Sequence, residues 1–527
     1  MIAPLALLAT MTASDFTARD KDWRCGPVVY QVFVDRFARP KTLNAALFPA
    51  PKVLHEDWDR PVVGGTKGEH VWSHELDFYG GDLAGIQGKL SYIKGVGADV
   101  LYTTPVFSSL TNHRYDAQDY RQIAPELGGQ PAFESLLKAT HKQGMKFMLD
   151  GVFNHMGASS PFFKKALSSP SSKERAWFEF GTQYPLGYKG WAGVPNLPAL
   201  NLENKVVRDQ LWLRPDSVVQ QWLKAGIDGW RLDVAFELGP QYLRELTQSA
   251  HKAKAGSWVV GEINGYPADW FGSLDGVFNF FAPGVVHRAI RGEMSGGQAS
   301  QVLGDWVADA GIENALRSWL HLDNHDTSRI ASVEPDFERR KLLWAALFTL
   351  PGSPVIYYGS ELGMKGEGDP GSRGTMRWEL NTAQNPELKW VRQLTKLRAS
   401  SRALKVGDFA PLRTSQLIGW VRSTDRFLDN RLALINPTDK PVTETVVVRI
   451  GRLLSWGELE DQLGSKEVIK VINGLTSVTL PAHSVRVYHP LAGDGKNWTP
   501  YHRIPRTTEN DFANSLSQCS SFGKKHR

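Results

Sequence analysis

Eight short runs of β-branched, aromatic and aliphatic residues recur along the chain with amphipathic helical stretches between them, and this alternation restricts the fold more than any other feature. They are residues 28–35 (VVYQVFVD), 99–103 (DVLYT), 146–152 (KFMLDGV), 229–234 (GWRLDV), 258–262 (WVVGE), 276–280 (GVFNF), 319–323 (WLHLD) and 355–358 (VIYY). Runs this short, separated by crossover-length helical segments, read as parallel strands joined by helices, and eight of them fit one closed barrel. The expected fold class is therefore α/β, a (β/α)8 TIM barrel over residues 25–400.

The spacing departs from that regular pattern at two places. Between the third and fourth runs, residues 156–205 are too many for a crossover helix and are rich in Gly, Pro, Trp and Phe, so an inserted subdomain is expected after strand 3. From residue 401 to 492 the texture changes to alternating apolar and polar residues, as at 431–435, 443–450 and 477–487, which predicts a C-terminal antiparallel β-sandwich domain. Residues 493–527 are polar and aperiodic and read as a disordered tail. Residues 1–24 contain an apolar segment ending in small residues (IAPLALLATMTA), which resembles the core of a secretory signal, although no Lys or Arg precedes it; an exported protein is the expectation.

Composition narrows the class. A 42% apolar and 22% charged chain can bury a core, and no run is long and apolar enough to span a bilayer, so no integral membrane association is expected. The net charge of +6 is small for 527 residues and gathers near the C-terminus, which gives no reason to expect nucleic-acid binding. Cys25 and Cys519 are the only cysteines, excluding a disulfide framework and a four-cysteine zinc site while leaving one bridge open. The 18 Trp supply faces that either fill cores or stack on sugar rings.

In a parallel barrel the reactive groups sit where strands end. The third run ends in Asp150, Asn154 and His155, the fourth in Arg231 and Asp233, the fifth in Glu262, and the seventh in Asn324, His325 and Asp326. Glycosidic cleavage needs a protonated carboxyl for the leaving oxygen and an ionised one to attack the anomeric carbon or activate water. Arg231, two residues before Asp233 on the same strand face, suits the task of holding that carboxylate ionised. Glu262 closes an apolar strand, where partial burial would raise a carboxyl toward the range of a general acid. Asp326 is free to stabilise an oxocarbenium-like transition state, and His155 and His325 to bond sugar hydroxyls.

These segments carry a family resemblance. DGVFNH (150–155), GWRLDV (229–234), GE (261–262) and NHD (324–326) resemble, in order and spacing, the four signature regions of the α-amylase family of glycoside hydrolases, family 13. VVYQVFVDRF, FYGGDLAGI, NHRYDAQDY and PGSPVIYYGSELGM, with DP, SRG and MRW after it, extend the likeness over residues 28–379, and LPALN at 197–201 resembles a motif of its cyclomaltodextrinase and neopullulanase members. The resemblance implies a retaining hydrolase with Asp233 as nucleophile, Glu262 as acid/base and Asp326 as transition-state stabiliser. It further implies that Tyr115, His155, Arg231 and His325 bind the glucose at the cut, Tyr115 by stacking. Asn154 would offer its side-chain oxygen to a structural calcium, with no cofactor required for the reaction. The implied substrates are α-1,4-linked maltooligosaccharides, cyclodextrins or starch-type α-glucans. An α-glucosidase, an α-1,6-glucosidase or a glucosyltransferase of the same family is the alternative, and a non-catalytic binding relative a remote one. Phe236 and Glu237 after the nucleophile, and Ile263 and Asn264 after the acid, depart from the family's usual residues on the acceptor side. Nothing in the sequence sets the oligomeric state.

Overall fold

A computed structural model of the chain describes residues 13–451 and 453–491. Eight parallel strands close into a barrel in sequential order. They are β1 (Val29–Val32), β2 (Val100–Thr103), β3 (Lys146–Gly151), β4 (Gly229–Leu232), β5 (Trp258–Ile263), β6 (Gly276–Asn279), β7 (Trp319–His321) and β8 (Ser353–Tyr357). Each falls within or beside one of the eight apolar runs.

Period-two alternation decides what each strand sends inward. The lower layers are apolar, with Val29, Val100, Met148, Trp258, Val260, Phe278, Trp319 and Val355 in one buried cluster. Trp319 packs on Tyr102, Trp258 and Phe278 with ring centroids 5.1, 5.7 and 5.7 Å apart, so the interior is filled and not a pore. One inward position higher the same strands carry Gln31, Tyr102, Asp150, Arg231, Glu262 and His321. The polar mouth is thus built by the alternation that builds the apolar floor.

The insertion between β3 and β4 folds as short turns and helices around Phe163, Phe178 and Tyr188, whose rings meet at 4.7–4.9 Å. Beyond the barrel, one sheet has the order β9-β10-β11-β16-β13-β14 and a second pairs β12 with β15. These strands are β9 (Asp408–Pro411), β10 (Ile418–Ser423), β11 (Arg431–Asn436), β12 (Val442–Val447), β13 (Gly457–Asp461), β14 (Val468–Val471), β15 (Leu475–Leu480) and β16 (Ser484–Pro490). Leu432, Leu434, Leu459 and Val471 of the first sheet share a buried cluster with Val442, Val446, Val478 and Leu480 of the second, which makes the domain a two-layer antiparallel structure. The run 477–487 is two strands and not one, because Pro481 lacks the N–H to continue a ladder and His483 (φ 44°) turns the chain.

Folded structure begins ahead of residue 25. The helix α1 (Ala13–Lys21) buries Phe16 and is held to the barrel and the C-terminal domain by Arg19, which bonds Glu313, Asp408 and the Val406 carbonyl at 2.8–2.9 Å. The apolar segment up to residue 12, Cys519 and the tail from residue 493 lie outside the described residues. Cys25 is buried with its thiol pushed up to about 12, chiefly by burial. Among the described residues no helix is long and apolar enough to cross a membrane.

Candidate active site

Arg231 is the centre of the mouth. It is fully buried, and its guanidinium bonds carboxylates from three neighbouring strands or their ends. Nη1 reaches Asp150 Oδ1 at 3.0 Å and Asp233 Oδ1 at 2.9 Å, while Nη2 reaches Glu262 Oε2 at 2.7 Å. A buried cation with this much negative charge stays protonated, because Asp150 and Glu262 outweigh the cost of its desolvation. Tyr102 and Tyr115 both donate to Asp150 Oδ2, at 2.6 and 2.9 Å, and fix that carboxylate beneath the site.

After Asp233 the chain leaves the strand sharply. Val234 is held at φ 46°, ψ 41°, a left-handed conformation that a β-branched residue rarely adopts, and helix α2 (Ala235–Ala253) follows at once. The turn aims the Val234 N–H at Glu262 Oε2, 3.0 Å away, so the strained residue helps place the carboxyl of the next strand. Glu262 and Asp233 keep side-chain exposures of only 16% and 10%, leaving each a narrow opening to the mouth.

Burial pushes the Asp233 carboxyl well above its usual range, and the negative charges of Glu262 and Asp150 add to the rise against the pull of Arg231. An attacking Asp233 must be ionised, so activity falls as pH drops through its elevated pKa. Asp150→Asn removes one negative neighbour and is expected to move the acid limb of the kcat/KM profile to lower pH. An unmoved limb would show that Asp150 has no electrostatic hold on Asp233.

Asp326 stands at the rim with its side chain 44% exposed. Crowding by the site walls works to raise its carboxyl, but His325, with Nε2 at 3.0 Å, and Arg373, with Nη2 at 3.0 Å, outweigh this and hold it well below the usual carboxylate range. Asn324 shapes the turn by accepting the Asp326 and Thr327 N–H groups at 2.8 and 3.0 Å. His325 lies parallel to Tyr115, 4° between planes and 5.2 Å between centroids. Tyr115 donates to Asp150 and so accepts from His325 Nε2 at 2.6 Å, which leaves His325 Nδ1 to accept from Gln31 at 2.9 Å.

His155 is buried, and among the described residues neither of its ring nitrogens meets a well-placed hydrogen-bond partner. Burial pushes it down to about 3, so it is neutral at working pH and offers a donor and an acceptor to a polar ligand. Trp191 from the insertion covers it, with centroids 5.4 Å apart. Asn154 does not face a cage of oxygens. Its amide donates to Glu237 Oε2 at 2.9 Å, and Glu237 also accepts Trp191 Nε1 at 3.1 Å. Calcium takes six to eight oxygen ligands, and among the described residues no group of three or more His, Cys, Asp or Glu is placed to hold a metal. The side-chain oxygen of Asn154, the atom expected to meet a calcium, takes no part in the bond to Glu237.

All seven catalytic or sugar-binding candidates, namely Tyr115, His155, Arg231, Asp233, Glu262, His325 and Asp326, meet at this one mouth. Gln31, Tyr102, Arg373 and Trp191 join them without having been singled out, and Asp150 proves to be the base of the cluster. The first two and Asp150 were findable, since each is the polar inward residue above an apolar inward one. Arg373 and Trp191 lie on long aperiodic segments that carry no such signal.

Comparison with known proteins agrees with this geometry. Residues 31–263 and 272–403 match the model of the alpha-amylase catalytic domain. The chain belongs to the alpha-amylase family. It is 34% identical over 406 residues to a cyclomaltodextrinase of Geobacillus thermopakistaniensis, covering 74% of this chain and 65% of that one. It is 32% identical to neopullulanase 2 of Thermoactinomyces vulgaris, with coverage of 73% and 65%. The match thus spans slightly less than two thirds of either relative's length. Among solved structures, a cyclic α-maltosyl-(1→6)-maltose hydrolase of Arthrobacter globiformis superposes with a TM-score of 0.74 at 27% identity, covering 89% of this chain and 99% of that one. A debranching enzyme of Nostoc punctiforme gives 0.72 at 31%, with the same coverage.

Proposed function

We propose that the protein hydrolyses α-1,4-glucosidic bonds of maltooligosaccharides and related starch-type glucans or cyclodextrins with retention of configuration. Asp233 attacks the anomeric carbon while Glu262 gives a proton to the departing oxygen. Water, deprotonated by Glu262, then releases the sugar from Asp233. The observation that carries this reading is the sharing of the Arg231 fork by both carboxyls, at 2.9 and 2.7 Å. Groups held on one planar fork stay close, as a covalent intermediate needs, whereas an inverting pair stands apart to admit a water. Asp326 faces the same space and, held ionised, would oppose positive charge growing on the sugar. The named substrates of the Geobacillus and Thermoactinomyces relatives support the α-1,4 assignment.

Proton NMR of maltoheptaose digestion tests the stereochemistry: the newly formed reducing ends are expected first as the α-anomer, and β-anomer first would overturn retention. Products from maltoheptaose, β-cyclodextrin and pullulan, with Asp233→Asn as control, rank the bonds. The debranching and α-1,6-linked names among the structural relatives favour a second reading, α-1,6 cleavage, which pullulan would reveal. Glu262→Gln should slow maltooligosaccharide cleavage by about 10²–10⁴-fold, yet spare the first step on α-glucosyl fluoride, read as a burst of fluoride, because that leaving group needs little protonation. Equal losses on both substrates would remove Glu262 from the acid role.

A further inference from the structure

The glycone side of the mouth is built as a wall. A general acid stands beside the leaving oxygen, so the departing part of a substrate lies over β5, which carries Glu262. In a closed ring of eight sequential strands β1 is diametrically opposite β5, and the retained sugar therefore points toward the loop that follows β1. That loop is long. It leaves β1 after Val32 and reaches its helix at Leu83, whose N-cap is Asp82.

The loop is fastened to both neighbours. Toward β8, Trp58 Nε1 donates to the Met376 carbonyl at 3.1 Å, Thr375 Oγ1 donates to the Trp58 carbonyl at 2.7 Å, and Arg36 spans the Arg373 and Asp77 carbonyls at 2.9 Å each. Toward β2, buried Asn112 donates its amide to the His74 and Asp77 carbonyls at 2.8 and 2.9 Å, and its N–H to the Glu75 carbonyl at 2.8 Å. Between these anchors residues 65–74 form a hairpin, closed by Gly68 N–H to Val71 O and Ser73 N–H to Thr66 O at 2.9 Å each. Its strands touch at Gly65, where an added Cβ would lie 2.1 Å from Ser73 Oγ. These bonds and this close approach hold the two arms of the hairpin together.

Its side chains line up with the sugar site. Trp72, 43% exposed, packs on buried His74 at 6.0 Å between centroids. Glu75 meets His113 at 3.4 Å, and His113 stacks on Tyr115 at 5.8 Å, one ring from His325. We propose that the hairpin 65–74, through Trp72 and His74 backed by Glu75 and His113, closes the glycone end of the cleft and makes the enzyme exo-acting. It admits only the non-reducing end of a linear α-glucan and releases glucose or maltose units from it, disfavouring cyclodextrins and interior segments. This rests on the hydrolase reading above.

The test uses maltoheptaose with a 4-nitrophenyl group at the reducing end, free or blocked by 4,6-ethylidene at the non-reducing end, with products read by chromatography. The free substrate is expected to be cleaved at least about 100-fold faster than the blocked one. A variant with residues 66–73 replaced by Gly-Gly should bring the two within about 10-fold, and Trp72→Ala should move the ratio the same way. Equal rates with the wild-type protein overturn the wall. A preference that persists in the shortened variant, shown folded by circular dichroism, overturns its assignment to the hairpin. Cleavage of neither substrate, and of no pullulan, overturns the hydrolase reading and this inference with it.

Discussion

Asp233→Asn is expected to lower kcat on maltoheptaose by about 10⁴-fold or more without lowering the melting temperature. The two effects have one cause. The native carboxyl is buried, sits beside Glu262 and Asp150, and is pushed well above its usual range, so ionising it opposes folding at neutral pH. A carboxyl raised on folding contributes stability only at low pH and loses it as pH rises through the folded value. The neutral amide escapes that loss, so the variant should be at least as stable as the wild-type protein at pH 7. Its advantage should shrink as pH falls toward the ordinary carboxylate range. Activity assays beside thermal melts at pH 7 and pH 5 check both halves. An inactive variant that melts much earlier would mean that Asp233 is needed for folding and would leave its charge unconnected with catalysis.

Arg231→Met is expected to be the most damaging single change in the mouth. It strips the only guanidinium from Asp150, Asp233 and Glu262, leaving buried carboxylates uncompensated, at a cost of about 3–5 kcal/mol. Activity should vanish as well, since nothing then orients nucleophile and acid together. Adding Asp150→Asn should recover part of the stability but none of the turnover, because it removes one unpaired charge and restores no positioning. Denaturant melts of the single and double variants measure the coupling. Strict additivity would show that Arg231 and Asp150 do not act as the pair their 3.0 Å contact indicates.

The relation between stability and function is the same in both cases. Val234 in its left-handed turn, the His155 nitrogens that meet no well-placed partner among the described residues, and the carboxylates gathered on Arg231 are local costs carried at the place where the reaction is proposed. The filled barrel beneath, with Trp258, Trp319, Phe278 and Met148 in its interior, holds them in position.

How much of this was legible in the sequence depended on the range of the signal. The eight strands were, because alternation of inward and outward residues is local and each run is bounded by polar or turn residues. The gathering of Asp233, Glu262 and Asp326 at one mouth was, because a parallel barrel sends the ends of its strands to one face. The two-layer C-terminal domain showed in its alternation, while the break at Pro481 did not, since the residues on either side keep the same pattern. Asn154 donates its amide nitrogen to Glu237, 83 positions away, a contact no local pattern announces. Only the tertiary structure decided such matters: Gln31 bonds His325 across 294 positions, and Arg373 holds Asp326 across 47. Trp191 and the hairpin carrying Trp72 belong to long loops with no periodicity, and their place over the mouth is set by hydrogen bonds to other loops. The sequence by itself determined which groups stand at the strand ends; closure of the barrel decided their distances, and the packing of its loops decided which side chains surround them, because those contacts join residues far apart in the chain.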